Sequence, residues 1–404
     1  MTYDVAEWLG LALRWLHVIA GVAWIGASFY FVWLDNSLTP PDPPQEGVKG
    51  ELWAVHGGGF YHSRKFMLAP PNLPDHLHWF KWEDYTTWLS GFSLLVVVFY
   101  FGAQSYLIDP SRAALSPAAA AAIGLGFIFG GLAVFEGLCR SPVGARPVLL
   151  GGLWFAVLTA SGYVLTHVFS DRGAFIHVGA MIGTVMVANV FLVIIPNQRK
   201  LVAAMRAGAE IDPRLGAQGK QRSVQNNYMT LPVILLMISN HYPLLTGGPY
   251  AWACMAVMCA AGVSIRHFFN LRHVGRTAPG YLALGAVLFI GVSVIASLRP
   301  EGAATVTSSA GAASGAPAPA YAAVGAIVQR HCVMCHSPAP THAGIPAPPG
   351  GLVFDTPEHV RQHAGRIYDM AVASQAMPLG NETGMTDAER DTLGRWIKAG
   401  APTK

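Results

Sequence analysis

Apolar residues gather in long runs, and about eight of these reach the roughly 20 residues an α-helix needs to cross a hydrocarbon layer. They cover, approximately, 8–34, 85–107, 118–138, 148–168, 174–195, 228–245, 250–269 and 280–298. Ser170-Asp171-Arg172-Gly173 is a polar turn that breaks the fourth run from the fifth. The sixth contains Pro232 and Pro243, which a membrane helix tolerates when its neighbours satisfy the freed carbonyls. After 298 the pattern changes. Residues 299–320 are Gly, Ala, Ser, Thr and Pro with almost no charge, a linker that cannot build a core and spans roughly 25 Å root-mean-square. From 321 onward helical periods return, with one helix over 322–330 and another over 387–398 that puts Leu393, Trp396 and Ile397 on one face. Thr386 starts the latter with Glu389 three residues on, a capping box. The expected architecture is all-α: a polytopic membrane helix bundle over 1–298, a flexible linker over 299–320 and a small domain over 321–404.

Composition agrees. Of 404 residues, 52% are apolar and only 12% charged, against about 25% charged in an ordinary globular domain. The net charge of +4 leaves no nucleic-acid footprint. Its distribution is more informative. Connections 35–84, 139–147, 196–227 and 270–279 hold fourteen Lys and Arg, whereas the alternate connections hold two, Arg112 and Arg172. By the positive-inside rule the N-terminus and the chain after the eighth run are outside. The N-terminus lacks a basic n-region and a small-residue cleavage site, so the first run is expected to stay as a membrane helix.

The small domain carries the strongest motif, Cys332-Val333-Met334-Cys335-His336. CxxCH is the attachment site of a c-type haem: two thiols add to the vinyl groups and the adjacent imidazole takes the iron. Such haem is attached outside the cytoplasm, which agrees with the charge count. The domain is therefore expected to be a class I-like cytochrome c, with haem c held by Cys332, Cys335 and His336. Met377, in Ala376-Met377-Pro378, is the chosen sixth ligand, with Met370 and Met385 as alternatives. Cys139, Cys254 and Cys259 lie at helix ends or in apolar runs and suggest no disulfide framework.

Ionisable residues inside membrane helices are costly, so each invites a functional reading. His17, His167, His177 and His241 fall toward the outer ends of four helices. Each is read either as an interhelical hydrogen bond or as a ligand of a shared cofactor such as haem b. His17 has the most apolar flanks, and Arg14 one turn outward could meet a propionate. A second polar set, which includes Tyr228 and Asn270, gathers toward the inner ends. Arg222, Asn226, Asn227 and Arg266 could bind a planar anionic heterocycle through paired hydrogen bonds, with Glu136 and His267 as candidate proton acceptors. The competing reading is positive-inside anchoring. Loop 35–84 is too long for a connection. Gly57-Gly58-Gly59 suggests a hairpin there, serving either as a lid over an inner site or as a membrane-hugging segment. His76 and His78 alternate without a third ligand, so no zinc site is expected.

Taken together, several runs resemble a known family. They are residues 15–26 (WLHVIAGVAWIG), 76–83 (HLHWFKWE), Asn189-Val190-Phe191 with Ile195-Pro196, Asn226-Asn227-Tyr228, and 238–243 (ISNHYP), followed by the CxxCH motif. The chain resembles, over essentially its whole length, the membrane-bound bacterial urate oxidases that join an integral-membrane N-terminal domain to a C-terminal cytochrome c. That resemblance implies oxidation of urate to 5-hydroxyisourate at the inner membrane. The cytochrome domain would lie in the periplasm, and electrons would leave to a respiratory terminal oxidase or a soluble cytochrome. It carries no residue-level assignment. The first helix also resembles that of small haem-b-binding membrane oxidases of the protoporphyrinogen type. A urate site on the inner side would require electrons to cross about 30 Å of hydrocarbon; one on the outer side would not. The rival readings are a quinol-oxidising electron-transfer module without urate chemistry, and a transporter with a cytochrome sensor.

Overall fold

The computed structural model describes residues 5–66, 70, 73–109, 112–246, 250–297, 319–342, 345, 348–349, 352–373 and 375–403. The expected linker lies, apart from residues 319 and 320, outside the described residues. Helix α1 (Val5–Ser37) leads to an antiparallel hairpin, β1 (Val48–His56) and β2 (Gly59–Phe66). Its turn is Gly57-Gly58, both at positive φ (59° and 80°), as a tight two-residue hairpin requires. Then follow α2 (Trp82–Leu94), α3 (Ala103–Tyr106), α4 (Pro117–Arg140), α5 (Pro147–Val168), α6 (Asp171–Ala188) and α7 (Ile195–Arg206). They are succeeded by α8 (Pro213–Ile238), α9 (Pro243–Thr246), α10 (Ala251–His273) and α11 (Pro279–Ser297). The C-terminal part holds α12 (Tyr321–His331), α13 (Pro357–Gln362), α14 (Ala364–Ile367) and α15 (Asp387–Lys398).

Among the described residues, six helices are long and apolar enough to cross a membrane: Trp8–Ser37, Pro117–Arg140, Pro147–Val168, Asp171–Arg206, Ala251–His273 and Pro279–Ala296. Two of the eight expected runs, 85–107 and 228–245, are not among them. Run 85–107 is not one straight helix, because a π-helical turn, Leu95–Tyr100, follows α2 and the chain bends at Gly102 before α3. Run 228–245 is the apolar half of α8, whose other half carries Arg214, Lys220 and Arg222, and it stops at a tight turn, Ser239–His241. The fifth run is longer than expected: α6 passes through a π-helical turn, Asn189–Ile194, directly into α7.

Helix α6 is the centre of the bundle. It packs against α2, α4, α5 and α8, and nearly all its side chains are buried. Ser170 caps it, its Oγ accepting from the Gly173 amide at 3.1 Å, so the polar turn expected there does start a helix. Helix α1, by contrast, leaves Trp8, Leu11, Trp15 and Val22 exposed. An apolar stripe of this kind fits lipid as its solvent. Loop 35–84 is fastened to the ends of α1, α7 and α8. Lys65 pairs with Asp35, Lys220 lies 3.9 Å from Asp35, and Arg206 donates to the Asp75 carbonyl at 3.1 Å.

A separate core joins α12, α13, α14 and α15 around Val324, Val360, Leu393 and Trp396. The capping box is present: the Glu389 amide donates to Thr386 Oγ1 at 3.3 Å, and the Thr386 amide to Glu389 Oε2 at 2.8 Å. Over 357–373 the chain is helical with a break at His363, which separates α13 from α14, and it ends in a π-helical turn, Tyr368–Ala373. A 3₁₀ turn, Leu379–Asn381, packs against α3.

Candidate functional site

Helix α12 ends at the CxxCH motif. The Cys332 amide still donates to the Val328 carbonyl, and the Cys335 and His336 amides turn back to the Cys332 carbonyl at 3.2 and 2.9 Å. The His336 ring lies 4.6 Å from that of Phe354, and its Nδ1 donates to the Leu352 carbonyl at 3.0 Å. A carbonyl on Nδ1 fixes the tautomer and leaves the Nε2 lone pair for a metal. Burial pushes the Cys332 thiol up to about 12 and holds His336 below its ordinary range.

Met377 is half-buried against the same core. Its amide donates to the Met370 carbonyl at 2.9 Å, and its carbonyl accepts from Arg390 Nη1 at 2.7 Å. The buried Arg390 also reaches the Ala371 carbonyl and Asn381 Oδ1, so one guanidinium ties down the loop that carries the methionine. Met385, one of the alternatives, is 2% exposed and belongs to the hydrophobic core. Two free thiols, an imidazole with a free Nε2 and a tethered methionine fit a covalently attached haem c.

The four membrane histidines do not converge. His17 Nδ1 pairs with the Thr87 carbonyl at 2.9 Å and Ser90 Oγ at 3.3 Å on α2, and its Nε2 has no protein partner among the described residues. His177 is fully buried, with Nδ1 on the Gly173 carbonyl (2.7 Å) and Nε2 on the Tyr100 hydroxyl (3.3 Å). A Cβ at Gly124 would lie 2.5 Å from that Nε2, so the ring is wedged between helices and a porphyrin has no approach to it. Tyr100 lies ten residues beyond Ser90, past the end of α2 at the close of the π-helical turn Leu95–Tyr100, so His177 and His17 meet this stretch of chain more than two turns apart. His167 is exposed, its Nδ1 on the Tyr163 carbonyl of its own helix. His241 is exposed in the turn after α8. A shared bis-histidine haem does not fit these positions. Of the four, His17 is the one that keeps a ring nitrogen inside the bundle without a protein partner among the described residues.

The inner polar residues do come together, but in two sets on different faces of α8. Arg222 and Asn226, four apart, face α4 and α6: Arg222 donates to Glu136 Oε2 at 2.7 Å and Asn189 Oδ1 at 3.1 Å. Asn189 in turn donates to Asn226 Oδ1 at 2.8 Å, and Asn226 to the Met186 carbonyl at 2.9 Å. Arg140 takes the other Glu136 oxygen at 2.7 Å. This set is internally satisfied, and Glu136 is held by two guanidinium groups. Asn227, about 100° further round the helix, faces α10 and accepts from Arg266 Nε. The Arg266 guanidinium lies over the Phe29 ring, 4.0 Å from its centroid, and its Nη2 is buried without a partner. His267 Nδ1 pairs with the Tyr228 hydroxyl at 2.7 Å and its ring packs edge-on against Tyr281.

Several participants escaped the sequence reading. Phe29 and Asn189 are members of the two sets, and Asp84, 1% exposed, has an unpartnered Oδ2 at the start of α2. Asn270, a member of the expected inner set, and His273, which was not, have Oδ1 and Nδ1 buried without partners among the described residues. Their spacing from Arg266, four and seven residues, was available as a signal, because it marks one helix face.

Residues 3–297 match the family described as urate oxidase N-terminal, and the chain belongs to that family. No curated protein and no solved structure matches it.

Proposed function

We propose that this member of the urate oxidase N-terminal family oxidises urate to 5-hydroxyisourate in a bacterial inner membrane and passes the electrons to a periplasmic haem c on its own C-terminal domain. The observation that carries the reading is the joining of that family's domain, in one chain, to a CxxCH segment whose His336 has Nδ1 engaged and Nε2 free. Urate and one water give 5-hydroxyisourate, two protons and two electrons. Haem bound at Cys332, Cys335, His336 and Met377 would supply one-electron acceptance, and a haem b on His17 would supply the same inside the bundle. The remaining tasks belong to side chains. Arg390 holds the Met377 loop in place. Leu379–Asn381, just beyond Met377, contacts α3, which supports an electron exit at that end of the bundle. The His267–Tyr228 pair is better placed than Glu136 to take a proton, because Glu136 is committed to Arg222 and Arg140.

Anaerobic addition of urate to the purified full chain, followed by haem absorption, tests this. One urate should reduce two equivalents of haem c without added quinone. An unchanged spectrum would overturn the proposal, and reduction only after quinol addition would favour an electron-transfer module without urate chemistry.

A further inference from the structure

Hydrogen-bonding groups buried in a membrane bundle find partners, and those that do not are candidates for a ligand. Three such groups stand on one face of α10: Arg266 Nη2, Asn270 Oδ1 and His273 Nδ1. Residues four and seven apart on a helix are stacked above one another. Arg266 is 4% exposed, anchored through Nε by Asn227 and backed by the Phe29 ring. A fixed guanidinium with a free edge, a free amide oxygen and a ring nitrogen therefore line up at the inner end of the bundle. The face offers, in sequence, a cationic donor, an acceptor, and a group that can either donate or accept.

From this we infer that the Arg266–Asn270–His273 face of α10 binds the purine substrate as its monoanion. The inference rests on the urate reading proposed above and gives it a place. Urate is flat and carries alternating carbonyl oxygens and ring N–H groups along its edge. The free N–H edge of Arg266 suits an anionic oxygen–nitrogen edge, which a lysine point charge would not match. Asn270 Oδ1 can accept a ring N–H, and His273 Nδ1 can donate to a carbonyl oxygen or accept from a ring N–H. Arg222 and Asn226 are left out of the site, because their hydrogen bonds are already spent on Glu136, Asn189 and Met186.

The test is equilibrium dialysis of labelled urate against the full chain in detergent, kept reduced with dithionite so that nothing turns over. N270A and H273A should each weaken binding on the order of tenfold, the effect of losing one hydrogen bond to a charged ligand. N270D should weaken it further by facing an anion with a carboxylate, and R266K should not restore wild-type affinity. Melting temperature and haem spectrum should stay unchanged in the two Asn270 variants. R266K could fail to fold because it strands Asn227, so the Asn270 and His273 variants decide. Wild-type affinity in N270A, N270D and H273A would overturn the site while leaving urate oxidation standing, provided urate still reduces the wild-type haem. Failure of the wild-type chain both to bind urate and to be reduced by it would instead overturn the functional reading.

Discussion

The imidazole of His17 occupies the space that Gly91 leaves by having no side chain: a Cβ at Gly91 would lie 2.6 Å from the His17 Cε1. The ring enters α2 at one point and is held there through Nδ1 by Thr87 and Ser90. G91A should therefore displace it, at a cost of about 1–3 kcal/mol for overpacking. The double variant H17A/G91A should lose less stability than the two single changes combined, because removing the ring removes the clash. Thermal unfolding in detergent measures all three, and strict additivity would mean that the alanine meets something other than His17.

The Arg222–Glu136 pair is a structural staple between α4 and α8. Arg222 is 4% exposed and also holds Asn189, so R222M should cost about 1–3 kcal/mol by leaving Asn189 Oδ1 and one Glu136 oxygen without a donor, while Arg140 keeps the other. E136Q should cost less, since its side chain is 22% exposed and an amide can still accept from Arg222. Stability and urate turnover should fall together in R222M. Lost turnover with unchanged stability in E136Q would instead give Glu136 a chemical role.

Arg390 is the hub of the methionine loop. Replacing it with methionine strands the Ala371 and Met377 carbonyls and Asn381 Oδ1, so R390M should destabilise by about 3 kcal/mol or more. A methionine axial ligand raises the haem potential, so a loosened loop should lower the midpoint potential and weaken the far-red band that marks methionine on ferric haem. Redox titration reads the first and absorption spectroscopy the second. An unchanged potential in R390M would argue against Met377 as the ligand.

Acid should weaken α15 through Glu389. The Thr386 backbone amide, with further help from its hydroxyl and from His331, holds that carboxylate down at about 2. A carboxyl depressed in the folded state contributes stability that is complete above its unfolded value, near 4.5, and is lost as pH falls toward about 2. E389Q should therefore flatten the pH dependence of unfolding over that window, and T386A should lower stability near neutral pH by about 0.5–2 kcal/mol. Urea unfolding from pH 6 down to pH 2 checks both. An E389Q curve as steep as the wild type would place the acid sensitivity elsewhere.

Much of this protein is legible without its fold because its signals are local. Apolar runs, the Ser170 turn, the Gly57-Gly58 hairpin, the Thr386 capping box and the CxxCH spacing each lie within a few residues of chain, where periodicity, turn chemistry and covalent geometry act. The sequence count of about eight spans exceeds the six long apolar helices among the described residues, because local pattern does not report shape. Nothing in run 85–107 announces the π-helical turn Leu95–Tyr100, and the apolar half of α8 looks like a helix of its own. The polar residues show the limit most plainly. Arg222, Asn226, Asn227 and Arg266 were all found by type and depth, yet only side-chain packing assigns the first two to a closed ion-pair network and leaves Arg266 with a free edge. The four histidines look equivalent in the chain. Which of them keeps an unpartnered Nε2 inside the bundle depends on glycines and carbonyls of other helices, such as Gly91 and Thr87 for His17 or Gly124 and Tyr100 for His177. A sequence states which groups are present, and hydrogen bonding is settled only when distant helices meet, because each donor and acceptor goes to whichever partner the packing brings within reach.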